Sequence, residues 1–248
     1  MKRALSFLAL LALIGAAGPA RAQMVTTEES YQSPQRWYME IKFGPYAPNI
    51  DSEFSGGETA FGHIFGDGED LMIKGELDLE LWRGFGTVAI GGVFGYYGIS
   101  APAYQDNGSD TSPSTSTTTT GSETSLTLLP ISLLAIYRFD WPADKWRFPL
   151  VPFIKFGVNY TVWWINIDDN TATYNGDEAS GGTFGWQFNV GGALQLDILE
   201  PSAAKTLDVE LGINHTYLFF EMVHVGKLGS DKLDVGDTTW DAGIAFEF

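Results

Sequence analysis

The feature that most constrains this chain is a period of two. In eight stretches, large apolar residues take every second position and small or ionisable residues fill the places between. That alternation describes strands with one apolar and one polar face. The clearest is 71–83, where Leu71, Ile73, Leu77, Leu79 and Leu81 alternate with Lys74, Glu76, Asp78 and Glu80. Residues 240–248 repeat it, with Trp240, Ala242, Ile244, Phe246 and Phe248 against Asp241, Gly243, Ala245 and Glu247. In 37–46, Trp37, Met39, Ile41 and Phe43 oppose Glu40 and Lys42. Further strands are expected at 88–99, 126–139, 151–165, 183–197 and 207–220. They place Arg138, Lys155, Asp197, Asp208 and Glu210 among the polar positions.

The connections alternate too. Those at 47–70, 100–123, 166–182 and 221–237 are long, whereas 84–86, 140–150 and 198–206 are shorter. Long loops on one side and tight turns on the other, with an even strand number, describe an outer-membrane barrel. Aromatics fall where its two water interfaces would lie. Trp37, Trp82 and Trp141 sit at the turn ends; Tyr46, Trp163, Trp164, Trp186, Tyr217 and Trp240 sit at the loop ends.

The amino terminus reads as a secretory signal peptide over 1–22. Lys2 and Arg3 precede an apolar stretch at 4–17, and Ala20-Arg21-Ala22 supplies the small-residue cleavage pattern. Residues 23–36 would then be a periplasmic tail and 37–248 the barrel. Losing Lys2, Arg3 and Arg21 but no acid moves the formal charge from -17 to -20, which speaks against nucleic acid as a partner. Without cysteine the chain can have no disulfide, thiolate metal site or lipoprotein anchor. No apolar run beyond the leader approaches the ~20 residues of a membrane helix.

Taken together, the leader, the eight alternating strands and the final WDAGIAFEF resemble the small eight-stranded outer-membrane barrels of the OmpA and OmpX type. The resemblance implies an antiparallel up-and-down transmembrane β-barrel, all-β, in a Gram-negative outer membrane. It also implies that Phe246 and Phe248 are read by the barrel-assembly machinery during biogenesis. Local stretches, RWYMEIKFGPYAPNID, GGTFGWQ, PSAAKTLD and NHTYLFFE, are similar to an uncharacterised family of myxobacterial outer-membrane β-barrel proteins. That likeness implies a fold and a location but no activity.

The polar face would line the lumen. Glu40, Glu76, Asp78, Glu80, Asp197, Asp208, Glu210, Asp241 and Glu247 would face Lys42, Lys74, Arg138 and Lys155. Eight strands leave an interior only wide enough for side chains, and buried charges must be paired. A largely plugged lumen is therefore expected, with a narrow cation-preferring path along the surplus acids as the alternative. A tract of Ser, Thr, Gly and Asp at 107–122 reads as a mobile solvated spacer. Asp67, Glu69 and Asp70, with Asp168, Asp169, Asp177 and Glu178, offer oxygen ligands that could take divalent cations or bridge to lipopolysaccharide. Neither group has the spacing of a calcium loop, so no metal site and no cofactor are expected.

Catalysis has one candidate. His215, in Asn214-His215-Thr216-Tyr217 near the outer rim, is similar to the His-x-Ser of eight-stranded lipid A deacylases, but Tyr217 stands where the nucleophilic Ser belongs. No catalytic residue is expected. The reading is a monomeric, non-enzymatic barrel with a structural or surface-binding role among outer-membrane lipid and lipopolysaccharide. A small pore is the second reading and a lipid A-modifying enzyme the third; a soluble lipocalin-like barrel would run the same alternation with its apolar face inward.

Overall fold

The computed structural model describes residues 36–53, 59–66, 68–104, 119–168, 170–174, 176–229 and 233–248. The expected leader, all of the tail but Arg36, and most of the 107–122 tract lie outside these residues. Eight long strands build the fold: β1 (Trp37–Tyr46), β2 (Asp70–Gly84), β3 (Gly86–Tyr104), β4 (Thr119–Arg138), β5 (Leu150–Ile167), β6 (Ser180–Gln195), β7 (His215–Lys227) and β8 (Asp237–Glu247). Each pairs antiparallel with its sequence neighbours, and β8 pairs back onto β1, so the sheet closes without an edge. The β2–β3 connection marks the turn end of the barrel, and β1 with β2 marks its loop end at the register pair Tyr46↔Asp70.

Alternation determines which way each side chain points. Ile41, Leu77, Phe156 and Phe220 stand outward and are each half or more exposed, whereas Glu40, Glu76, Lys155 and Glu221 stand inward and are at most 2% exposed. The barrel is therefore apolar outside and charged inside, the reverse of a lipocalin-like barrel. Inward glycines make room for the charges. A Cβ on Gly91 would lie 2.2 Å from Asp78 Oδ1, and one on Gly44 would lie 2.6 Å from Asp241 Oδ1. At the β2–β3 turn, Gly86 adopts φ +104, a conformation open to glycine but costly for other residues.

Several elements differ from the sequence expectation, and β3 and β7 also run on, to Tyr104 and Lys227, into the expected loops. Residues 207–211 are helical, the second half of an α-helix at Pro201–Leu211, and β7 begins only at His215. Pro201 in the first helical turn and Gly212 in the left-handed region after the last are ordinary helix start and stop signals. Leu207 and Leu211, four apart, suit a helix as well as a strand. The connection at 196–214 is consequently longer than the one at 228–236, so the strict alternation of long and short connections does not hold. Finally, β4 starts at Thr119, which makes the end of the 107–122 tract strand rather than spacer.

The helices are numbered α1 (Ala60–Phe65), α2 (Trp141–Trp146) and α3 (Pro201–Leu211). A 3-10 turn at Asn49–Glu53 and α1 lie in the β1–β2 loop, and α2 fills the β4–β5 turn.

Two further inward glycines lie, like Gly44 against Trp240, where a neighbouring strand's backbone approaches closely. A Cβ on Gly157 would sit 1.9 Å from the Leu133 carbonyl oxygen, and one on Gly243 would sit 2.2 Å from that of Ile41. Gly157→Ala and Gly243→Ala should each cost about 1–3 kcal/mol, read as a lower urea midpoint in micelles. Gly75→Ala, which meets nothing within 4 Å, should leave the midpoint within about 0.5 kcal/mol of the parent.

Candidate functional site

The centre of the lumen is a cluster of two ammonium groups and three carboxylates from four strands. Lys42 Nζ on β1 donates to Glu40 Oε2 at 3.0 Å, to Glu221 Oε1 at 2.7 Å, and to Glu76. Lys155 Nζ on β5 donates to both Glu40 oxygens at 2.7 Å and to Glu76 Oε1 at 2.9 Å, with Glu221 Oε2 3.5 Å away. The strand register makes this possible: Glu40 stands opposite Glu76, and Lys42 opposite Lys74. Side chains in this layer are no more than 2% exposed. Glu40, Glu76 and Glu221 bring carboxylate oxygens within 4.8 Å of one another; the two lysines bond to all three groups or lie beside them, and only Glu221 Oε2 among these oxygens is buried without a hydrogen bond.

Charged layers flank the centre on both sides. Toward the loop end, Lys74 Nζ donates to both Asp241 oxygens, at 3.0 and 2.8 Å. Toward the turn end, the Arg138 guanidinium reaches Asp78 at 2.7 Å and Glu80 at 3.2 Å, and it lies 3.9 Å from the Tyr38 ring centroid. Arg83 continues the chain from Glu80, at 2.9 Å, to Glu247, which also accepts from the Tyr217 hydroxyl at 2.9 Å. Beside the centre lies a neutral network. Asn159 donates to Ser132 at 2.9 Å, Ser132 to Gln187 at 2.6 Å, and Gln187 to Asn189 at 3.0 Å. A pocket of about 30 Å³ touches Lys74, Ser132, Asn159 and Gln187, room for one or two waters.

Apolar plugs close the column at each end. Tyr46, Ile50, Phe61, Met72, Tyr97, Leu126, Leu128 and Val235 form one at the loop end, where the Tyr46 hydroxyl donates to the Val235 carbonyl at 2.5 Å. Tyr38, Val151, Phe153, Tyr217 and Phe219 belong to the other. In the turn below it, burial raises the Asp140 carboxyl above its ordinary value, partly offset by the hydrogen bond from Thr87.

Several expected site residues stand elsewhere. Asp208 and Glu210 lie on α3, outside the lumen, because their segment is helical. Asp197 lies just past β6 at the turn-end rim, paired with His215 at 2.6 Å; His215 is thus at the turn end, not the outer rim. Tyr46 and Tyr217 are buried inside the barrel, and Trp163 is half-buried against the loop-end plug, so none of the three is an interface aromatic. Trp37, Trp82 and Trp240 are outward and exposed, and Trp141, Trp164 and Trp186 are half-exposed. Phe246 is half-buried on an outward position of β8, and Phe248 N–H donates to the Trp37 carbonyl.

Two members of the network were not expected, Glu221 and Arg83. Leu218, Phe220 and Met222 alternate around Glu221, but the adjacent aromatics Phe219 and Phe220 hide the phase. With these changes seven carboxylates (Glu40, Glu76, Asp78, Glu80, Glu221, Asp241, Glu247) meet five cations (Lys42, Lys74, Arg83, Arg138, Lys155), a smaller acid surplus than expected.

The loop acids serve the loops. Asp51 accepts from Phe61 N–H at 2.6 Å and Gly62 N–H at 3.0 Å, Asp237 from Ala47 N–H at 3.1 Å, and Asp234 from Gly236 N–H at 2.9 Å. They border an open pocket of about 570 Å³ with Asn49 and His224. Asp168 accepts from Glu123 N–H at 3.0 Å; Asp67, Asp169 and the Asp177 side chain lie outside the described residues.

Removing one cation should expose the cost of this arrangement. Lys42→Met, which leaves three carboxylates with Lys155 alone, should lower stability by about 3–5 kcal/mol, measured as urea unfolding in micelles. Adding Glu221→Leu to that variant should restore most of the loss. A Lys42→Met barrel within about 0.5 kcal/mol of the parent would show the cluster to be solvated.

The profile of the family described as "Outer membrane protein beta-barrel domain" matches residues 7–248. Among solved structures, three similar chains are all bacterial. One is Ail, the attachment invasion locus protein of Yersinia pestis, in complex with the heparin analogue sucrose octasulfate: 8% identical, covering 86% of this chain and 97% of that one, TM-score 0.42. Neisserial surface protein A is 10% identical, with the same coverages and TM-score. OprG from Pseudomonas aeruginosa is 12% identical, covering 88% and 97%, TM-score 0.42. No curated protein matches the chain.

Proposed function

The chain belongs to the outer membrane protein beta-barrel family, an integral protein of the outer membrane, and from that premise we propose that it is a closed structural barrel holding four loops at the cell surface. The observation that carries this reading is the central layer, where Lys42, Glu40, Glu76, Lys155 and Glu221 fill the cross-section and none is more than 2% exposed. An ion crossing it would have to displace a lysine from its carboxylates. Several kcal/mol per uncompensated buried charge oppose that.

Binding belongs to the loops on this account. Asp51, Asp234 and Asp237 bind loop backbone to loop backbone and so fix the surface of the β1–β2 and β7–β8 loops. That surface would meet lipopolysaccharide, with divalent cations bridging its exposed acids. Biogenesis would use Phe246 and Phe248 as the assembly signal, and the barrel would act as a monomer.

A non-enzymatic role fits the histidine pair at the turn-end rim, the one similar to a deacylase motif; the other described rim pair, His224 Nδ1 with the Thr238 hydroxyl at 2.6 Å, lies at the loop end. His215 is held by Asp197, and the nearby hydroxyl of Tyr217 is buried on Glu247. Among the described residues His215 Nδ1 is bonded to Asp197 and Gln195 and not to a hydroxyl, whereas acyl transfer there would require a nucleophile against the base.

Planar-bilayer recording of refolded protein, with folding checked by the heat-dependent gel shift, tests the closed lumen. The folded barrel should stay silent, and Glu76→Gln with Asp78→Asn should not open it. Steady cation-selective current that weakens in that double variant would establish a pore instead.

A further inference from the structure

The 196–214 connection does more than link β6 to β7. Both of its ends are tied to the barrel rim: Leu196 N–H donates to the Thr216 carbonyl at 2.9 Å, and Asn214 N–H to the Glu247 carbonyl at 2.7 Å. Between these anchors, α3 packs against β7. On β7 the outward positions Leu218, Phe220 and Met222 are 44–54% exposed, yet Thr216, in the same phase one step nearer the rim, is only 8% exposed. The connection covers the outer face of β7 at the turn end.

Its own surface is amphipathic. Ser202, Thr206 and Glu210, spaced four apart, form an exposed polar stripe, flanked beside Ser202 by Val209, which is 70% exposed. Leu207 and Leu211 run along another side of the helix; Leu207 is half-buried and Leu211 is 63% exposed. Leu199, three residues past the first anchor, is 68% exposed. Exposed Leu194 on β6 and Leu218 on β7 bring the apolar outer band to the same rim.

We propose that α3 and the turn before it lie on the lipid side of the barrel and seat Leu199 and Leu211 among the acyl chains of the adjoining phospholipid leaflet. Two large apolar side chains continuous with a lipid-facing band gain by entering it. In-plane interfacial helices bind this way, apolar side down and polar side to water. The polar stripe of Ser202, Thr206 and Glu210 would face the aqueous side. Held there, α3 widens the footprint of the barrel in one leaflet.

The inference rests on the membrane reading, and one label separates the two. The chain has no cysteine, so Leu199→Cys, Leu211→Cys, Ser202→Cys and Leu218→Cys can each carry a single environment-sensitive fluorophore. Each is refolded into nanodiscs of phosphatidylethanolamine and phosphatidylglycerol, with bromine on the acyl chains or iodide in the buffer as quencher. Labels at 199 and 211 should be quenched by brominated lipid at least half as strongly as the label at 218 and protected from iodide. The label at 202 should respond to iodide. Iodide quenching at 199 and 211 equal to that at 202 would overturn the proposal, as would shielding from both quenchers, which would place protein over them. Failure of the Leu218→Cys label to respond to lipid would instead remove the membrane reading beneath it.

Discussion

The structure depends on burying charge inside a closed wall. A barrel of eight strands has no edge through which an inward side chain can reach water, so each lysine and glutamate on the polar face must find its partner across the lumen. Lys42 and Lys155 do this for Glu40, Glu76 and Glu221, contributed by β1, β2 and β7. Those ion pairs cross-link strands far apart in sequence, with Lys42 and Glu221 separated by 179 residues. Hydrophobic burial does the same work only in the two plugs, since the rest of the apolar face points outward.

The charge column also explains the glycines and the aromatics inside the barrel. Gly44, Gly91 and Gly191 leave space beside Asp241, Asp78 and Glu221, where larger residues would collide with the network. Tyr38, Phe153 and Phe219, members of the turn-end plug, also lie over the cations; Lys155 Nζ is 5.0 Å from the Phe153 centroid. Aromatic faces suit buried ammonium and guanidinium groups. The two ends are then sealed by apolar plugs, and the loops above are fixed by carboxylates bonded to backbone.

Much of this was legible in the sequence because strand geometry is local. The apolar and charged phases of β1, β2, β5, β6 and β8 follow from alternation alone, and with them the inward placement of Glu40, Lys42, Glu76 and Lys155. Legibility failed where two periods overlap. Leu207, Val209 and Leu211 satisfy a strand, but Pro201 and Gly212 bracket a helix, and the backbone followed its start and stop signals. That overlap of periods shifts the start of β7 by eight residues, hides Glu221 and sets Asp208 and Glu210 in a lumen they never enter. Tyr46 and Tyr217 failed for another reason: an aromatic near a strand end reads as an interface residue whichever way it points, and only phase tells them apart. The Arg83 contact with Glu247 lies beyond local reasoning because it needs the closure of β1 on β8.

The central claim is that Lys42 and Lys155 are held by carboxylates inside a lumen closed to solvent. Dipolar-recoupling solid-state NMR on barrels in lipid, with 15N at lysine Nζ and 13C at the glutamate carboxyl carbons, tests it directly. The account predicts two Nζ resonances strongly recoupled to glutamate carboxyls and slow to exchange with deuterated buffer, and it predicts that Lys42→Met and Lys155→Met each remove one of them. Lysine resonances that exchange at once and show no recoupling would mean a hydrated lumen, and the closed-barrel account would fall.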